Sequence, residues 1–133
     1  MLIIFDLDDT LIHEGFRQPR LCNDTIWILE FLKKNGHRLA IASHNTNAKI
    51  ILKKCQIDHY FDIIVGECPT DLTKITLINK ILEHCRVNNK EQVIFFDDIE
   101  THIHEISSFK IKSHLVNWIN GITKTDIVNV GLI

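Results

Sequence analysis

The sequence predicts an α/β fold, a Rossmann-like three-layer sandwich around a central, mainly parallel five-stranded sheet. Short apolar segments alternate along the chain with longer segments of helical periodicity. Several of the apolar segments have no polar face, which is typical of a sheet covered on both sides. We therefore expect a single domain over residues 1–133, with functional groups at the carboxyl edge of its sheet.

The predicted strands are short segments bounded by polar or turn residues. They are residues 2–6, 38–43, 63–66, 92–97 and 112–116.

Helical periodicity is clearest over residues 72–86, where apolar residues recur every three to four positions. Residues 24–35 form a second amphipathic segment, which ends at Gly36, a good C-terminal cap. The other predicted helices are residues 47–55, 100–107 and 123–128. The longest stretch predicted to be irregular is 12–22, which would lie at the carboxyl edge of the sheet.

Two carboxylates follow the first predicted strand. Asp6 and Asp8 are two residues apart, so on a strand both would point to the same side. Like charges are unfavourable there unless a metal ion or a phosphate site compensates them. A carboxylate is also a nucleophile that can form an aspartyl-phosphate. With Thr10 these residues make the pattern D-x-D-x-T, for which a solvated polar turn is the alternative interpretation.

The segment Asp6-Leu7-Asp8-Asp9-Thr10-Leu11 resembles the first motif of the haloacid dehalogenase (HAD) superfamily of phosphotransferases. The resemblance implies that Asp6 is the nucleophile. It also implies that Asp8 is the general acid and base and that Thr10 braces the loop that carries Asp8.

Two further sites follow in the order of that family's motifs. Ser43 ends the predicted strand 38–43 and would donate a hydrogen bond to the phosphoryl group, with His44 and Asn45 as neighbouring substrate-binding residues. A simple turn or capping role is the alternative for Ser43. Lys74 lies near the start of the 72–86 helix and would neutralise the nucleophile and the phosphoryl oxygens. The alternative for Lys74 is a solvated surface lysine.

The fourth motif is an acid pair, Asp97 and Asp98, at the end of an apolar strand. Adjacent buried carboxylates are costly without a cation. The resemblance implies Mg²⁺ as cofactor, with Asp98 as direct ligand and Asp97 acting through a hydrogen bond or water. Asp6 and the main-chain carbonyl of Asp8 would supply the other protein oxygens.

A narrower resemblance links the chain to the small capless magnesium-dependent phosphatase group. It rests on Phe95-Phe96-Asp97-Asp98 and on the stretch 114–121. The chain departs from that group at Asp9, often an aromatic residue there, at His44, where an Arg is common, and at His102, where Asn is usual. These departures concern substrate preference more than the reaction.

An open site is expected, because neither position where such enzymes insert a cap domain is long enough. The two windows are residues 12–23 and 67–71. An open site suits a phosphate on a phosphoprotein, a polynucleotide end or a sugar phosphate. His13, Arg17 and Arg20 would form a rim contact, or else lie in a solvated loop. Lys53 and Lys54, like the two arginines, are either a local basic patch or solvated surface.

The bulk composition excludes several classes of function. A formal net charge of −2 and a pI near 6.4 give no strong nucleic-acid footprint. No apolar run approaches the roughly 20 residues of a membrane span, and the N-terminus has no basic lead of a signal peptide. Four scattered cysteines fit reduced thiols, so a cytoplasmic location is expected.

The expected function is therefore a Mg²⁺-dependent phosphomonoester hydrolase acting on a phosphorylated substrate. A polynucleotide 3′-phosphatase and a catalytically silent binding domain are the alternatives. The sequence leaves the oligomeric state open, and Trp118 and Ile119 are either an exposed patch or a cover for a sheet edge.

Overall fold

The computed structural model describes residues 1–15 and 17–133; Phe16, within the predicted irregular segment 12–22, lies outside the described residues. The strands are β1 (Leu2–Phe5), β2 (Ile12–His13), β3 (Arg20–Leu21), β4 (Arg38–Ser43), β5 (Ile63–Gly66), β6 (Val93–Asp97) and β7 (Lys112–Leu115). The main sheet has five strands in the order β5-β4-β1-β6-β7. All its neighbours pair in parallel, which confirms the predicted α/β fold.

The helices pack on the faces of this sheet. They are α1 (Thr25–Lys34), α2 (Ala48–Lys54), α3 (Ile75–Cys85), α4 (Glu100–Ser108) and α5 (Lys124–Asn129), with 3₁₀ turns at Asp58–Tyr60 and Lys90–Gln92. Helix α3 begins three residues later than predicted. Leu72 has a left-handed φ of +54°, and the Asp71 carboxylate accepts a hydrogen bond from the Thr73 N–H, so a turn occupies these positions.

The segment 12–22 was expected to be irregular, but the structure shows that β2 and β3 form a short antiparallel hairpin. Ile12 pairs with Leu21, and His13 pairs with Arg20. Each strand has only two residues, too few for an alternating pattern to be visible in the sequence. The hairpin is held by the fully buried side chain of Ile12.

Strand β1 lies in the middle of the sheet and contributes to both apolar layers. Ile3 and Phe5 belong to the core on one face, and Leu2 and Ile4 to the core on the other. Phe5 also stacks on Phe96 of the neighbouring strand, with ring centroids 5.5 Å apart. Because the strands are parallel and in register here, the residues after them meet at one edge.

No helix in the described part of the chain is long and apolar enough to cross a membrane.

Candidate active site

A cavity of about 170 Å³ opens at the carboxyl edge of the sheet. Most of the residues predicted from the sequence line it: Asp6, Asp8, Ser43, His44, Asn45, Lys74 and Asp98. Asp9, Ile99 and His102 complete the lining. Thr10 and Asp97 do not line the cavity but are fully buried nearby.

Lys74 is a buried partner of Asp6 rather than a solvated surface residue. It is 1% exposed, and its Nζ lies 3.0 Å from Asp6 Oδ1 and 2.8 Å from the carbonyl oxygen of Ala42. Burial raises the pKa of Asp6 well above its usual value; the charge of Lys74 opposes this rise, while Asp97 adds to it. The site therefore holds more negative charge than one lysine compensates.

The backbone that carries Lys74 is anchored from another helix. One carboxylate oxygen of Glu105, on α4, accepts from the N–H of Lys74 at 3.2 Å, and the other accepts from the N–H of Ile75 at 2.7 Å. These are free amides at the start of α3, so Glu105 caps that helix. The sequence does not predict Glu105 as a site residue, because no local pattern indicates a capping residue 30 positions away.

Both oxygens of Asp97 have protein partners. Oδ1 accepts from the Ile99 N–H at 3.0 Å, and Oδ2 accepts from His102 Nδ1 at 2.7 Å and lies 3.6 Å from Lys74 Nζ. Burial alone would raise the pKa of Asp97, but the His102 hydrogen bond and the charge of Lys74 hold it below the usual value. Asp97 is thus a well-satisfied carboxylate.

Asp98 differs from its neighbour. Its Oδ1 is buried and has no hydrogen-bond partner among the described residues, and burial raises the pKa of this carboxyl. One oxygen each from Asp6, Asp97 and Asp98 lie within 4.8 Å of one another. Hard carboxylate oxygens of this kind suit Mg²⁺, and the orphaned oxygen of Asp98 is free to coordinate an ion. The residues present therefore fit a magnesium ion.

Asp8 is not on a strand, so the expectation that Asp6 and Asp8 share one strand face is wrong. β1 ends at Phe5, and the chain then forms a tight loop in which the Leu7 carbonyl accepts hydrogen bonds from the N–H groups of residues 10–12. Asp9 has a left-handed φ of +62° in this loop. The loop still directs Asp8 into the cavity, but through its own hydrogen bonds rather than through strand alternation.

The side chain of Asp8 is held by Asn45. Asn45 Nδ2 donates to Asp8 Oδ2 at 3.1 Å, whereas Asp8 Oδ1 is buried without a partner among the described residues. Asp8 therefore keeps one oxygen free for another group.

Thr10 contacts its surroundings through the backbone. Its carbonyl accepts from the Ile122 N–H at 2.7 Å, which ties the loop to the segment before α5. The Thr10 hydroxyl has no hydrogen-bond partner in the part of the chain that the structure describes.

Ser43 and His44 form the wall beside Asp8. Ser43 Oγ accepts from the Asn45 N–H at 3.0 Å, a turn contact that leaves the hydroxyl proton available to a ligand. His44 Nε2 lies 3.3 Å from the Thr73 carbonyl, so Nε2 must carry the proton. Burial lowers the pKa of His44, and the nearby Lys74 lowers it further, which favours a neutral imidazole at the cavity. The ring also meets His102 edge-on, with centroids 5.4 Å apart.

The chain matches a known protein family and a set of solved structures. A family model described as haloacid dehalogenase-like hydrolase matches residues 12–116. No curated protein matches the chain by sequence.

Solved structures share the fold at low identity. A haloacid dehalogenase-like family hydrolase from Streptococcus pneumoniae has a TM-score of 0.76 at 18% identity, covering 98% of this chain and 90% of that one. A HAD-superfamily hydrolase from Ehrlichia chaffeensis has a TM-score of 0.78 at 16% identity, covering 97% and 94%. The N-terminal part of a Bacteroides fragilis protein, containing a phosphatase domain complexed with Mg, has a TM-score of 0.76 at 15% identity, covering 99% and 40%.

Proposed function

Because this chain belongs to the haloacid dehalogenase-like hydrolase family, we propose that it is a Mg²⁺-dependent phosphomonoester hydrolase that acts through an aspartyl-phosphate on Asp6. The observation that carries the proposal is the buried pair of Asp6 and Lys74 beside the acid cluster of Asp97 and Asp98. A nucleophilic carboxylate, a fixed cation and oxygen ligands for a metal are the parts that phosphoryl transfer requires.

Asp6 and Asp98 would hold the metal through side-chain oxygens, Asp8 through its main-chain carbonyl, and Asp97 through a hydrogen bond or water. When bound, Mg²⁺ would neutralise charge on the carboxylates and on the phosphoryl oxygens. The unpaired Oδ1 of Asp98 and the fully partnered oxygens of Asp97 support this division of roles.

In the first step the carboxylate of Asp6 attacks phosphorus in line, and the ester P–O bond breaks as the Asp6 O–P bond forms. Lys74 stabilises negative charge on the nucleophile and the transferring group, and the Ser43 hydroxyl donates to a phosphoryl oxygen. Asp8, in its protonated form, gives its proton to the leaving oxygen.

In the second step Asp8 is ionised and takes a proton from a water molecule as that water attacks phosphorus. The Asp6 O–P bond breaks, inorganic phosphate leaves, and both carboxyl groups return to their starting states. Thr10 braces the loop of Asp8 in this proposal through its main-chain carbonyl, which accepts a hydrogen bond from the Ile122 N–H.

The proposed domain is single and capless over residues 1–133. The first cap position is occupied by the β2–β3 hairpin, and the second, residues 67–71, is a short turn region. With no cap domain above it, the cavity of about 170 Å³ would be open, which suits phosphates carried on phosphoproteins or other protruding groups. All four cysteines are free thiols, a state that supports a cytoplasmic location.

The test is phosphate release, with and without Mg²⁺, from an aryl phosphate, a phosphotyrosine peptide, a 3′-phosphorylated oligonucleotide and several sugar phosphates. Asp6→Asn should abolish release, while Asp58→Asn should retain it, because Asp58 lies in the 3₁₀ turn before β5 and does not line the catalytic cavity. Preference for the oligonucleotide would favour a polynucleotide 3′-phosphatase. No release from any substrate by folded, Mg²⁺-binding protein would overturn the proposal in favour of a silent binding domain.

A further inference from the structure

We propose that the cavity between the β2–β3 hairpin and the end of α2 is a binding subsite for anionic groups of the substrate beyond its scissile phosphate. This inference rests on the proposed function. The cavity has a volume of about 670 Å³ and is lined by Arg17, Arg20 and Lys54, with Leu21 and Cys55 among its apolar walls. The ligand class that fits it is an acidic phosphopeptide.

The three cations of this cavity have no compensating charge. None of them has an ion pair or a side-chain hydrogen bond within the described residues, and no acidic side chain from residues 1–15 or 17–133 lines the cavity. Like charges gathered around one concave surface repel each other and attract a discrete anion. The chain as a whole has a net charge of −2, so this cluster is a local feature rather than part of a basic protein.

The hairpin links the subsite to the active site through two contacts. Arg20 pairs across the hairpin with His13, and His13 Nδ1 lies 3.0 Å from Asp9 Oδ1. Asp9 in turn lines the catalytic cavity. A second groove, of about 240 Å³, has His13, Arg20 and Ile119 in its wall. His13 thus occupies Asp9 Oδ1, and Arg20 is the cation in the wall of the groove that His13 also lines.

The separation of the two cavities favours an extended substrate. The catalytic cavity and the cationic cavity share no lining residue. A compact metabolite with one phosphate cannot reach both the catalytic carboxylates and this cavity. A peptide with acidic residues near its phosphorylated side chain can do so. A nucleic acid would require cations along a continuous track, whereas here they converge on one cavity.

The experiment compares two phosphotyrosine peptides that differ only in three glutamates replaced by glutamines. For the natural chain, kcat/KM should be about fivefold higher for the glutamate peptide, mainly through KM, and the preference should shrink at high salt. Arg20→Gln should bring the ratio of kcat/KM between the two peptides close to one. Lys54→Gln should do the same and does not alter the hairpin. Arg86→Gln is the matched control, because Arg86 is exposed at the far end of α3 and should keep the ratio.

Equal kcat/KM for the two peptides in the natural chain would overturn the inference, as would an equal loss on both peptides in Arg20→Gln and Lys54→Gln. Stronger competition by a 3′-phosphorylated oligonucleotide, with the same dependence on Arg20, would overturn it in favour of nucleic acid. If neither peptide is hydrolysed, the proposed function fails. Fluorescence anisotropy with the labelled peptides then tests the subsite alone. Tighter binding of the glutamate peptide, lost in Arg20→Gln, would support it, and equal binding would overturn it.

Discussion

The side-chain amide of Asn45 donates a hydrogen bond of 3.1 Å to Oδ2 of Asp8. The orientation of this amide is fixed, because Asn45 Oδ1 accepts the backbone N–H of Asn47 at 2.9 Å and Nδ2 must then face Asp8. The sequence predicts Asn45 only as a substrate-binding residue. Its contact with Asp8 adds a positioning role, since the proposed general acid and base depends on a defined direction of its carboxyl group.

Asn45→Ala should therefore impair proton transfer more than phosphoryl binding. We expect kcat to fall about tenfold on an alkyl phosphate, a part of the 10² to 10⁴ that general acid–base catalysis contributes. On 4-nitrophenyl phosphate the fall should be smaller, because a good leaving group needs little protonation. The measurement is kcat and KM for both esters in the same preparation.

Asn47→Ala is the control for this prediction. It removes a neighbouring side chain that has no hydrogen bond of its own in the described structure, and leaves the Asn47 N–H in place. It should keep the natural ratio of the two rates. An equal loss on both esters in Asn45→Ala would contradict the positioning role and indicate a general disturbance of the turn.

Replacing the two acids of the fourth motif should have different consequences. Asp98→Asn removes the charge of a half-buried carboxyl whose Oδ1 has no partner among the described residues, so it should weaken Mg²⁺ binding at least about tenfold and raise the melting temperature of the metal-free protein. Asp97→Asn removes the acceptor of His102, so it should lower the melting temperature. Calorimetric titration with Mg²⁺ and thermal unfolding without it measure both effects. Equal effects of the two substitutions would contradict this distinction.

Gly121 packs closely against Thr10, in the loop that carries Asp8, and against Cys22. A Cβ there would lie 2.9 Å from the Thr10 carbonyl oxygen and 2.7 Å from Cys22 Cβ, and the residue has a φ of +68°. Gly121→Ala should therefore lower the free energy of unfolding through two effects. Holding an alanine in a left-handed conformation costs about 1–2 kcal/mol, and fitting its methyl group against Thr10 and Cys22 costs about 1–3 kcal/mol.

Gly131→Ala separates these two costs. Gly131 has a φ of +81° but nothing within 4 Å of its hypothetical Cβ, so only the backbone cost applies. Urea unfolding of both variants should show a larger loss for Gly121→Ala. Equal losses would mean that the contact with Thr10 and Cys22 relaxes without cost.

The site residues at the carboxyl edge of the sheet could be predicted because the sequence patterns that indicate them are local. Asp6, Ser43 and Asp97 each end or directly follow an apolar segment, and parallel strands bring such ends to one edge. The cap by Glu105 could not be predicted in this way, because it depends on how α4 packs beside α3. Nor could the convergence of Arg17, Arg20 and Lys54, which follows from a hairpin of only two residue pairs. Local sequence patterns thus predict the proposed catalytic residues, whereas the residues that position them or bind beyond them depend on tertiary contacts.

The cysteines provide a test of the packing beneath the hairpin. Cys22 is 4% exposed, and burial, with a contribution from the charge of Asp9, raises the pKa of its thiol to about 11. Because the thiolate is the reactive form, Cys22 should resist a disulfide reagent at pH 8, whereas the exposed Cys68 should react quickly. Burial also raises the pKa values of Cys55 and Cys85, so we expect one fast thiol per chain. Cys68→Ser should remove this phase, and a fast thiol that persists in Cys68→Ser would show that the packing around the buried cysteines opens in solution.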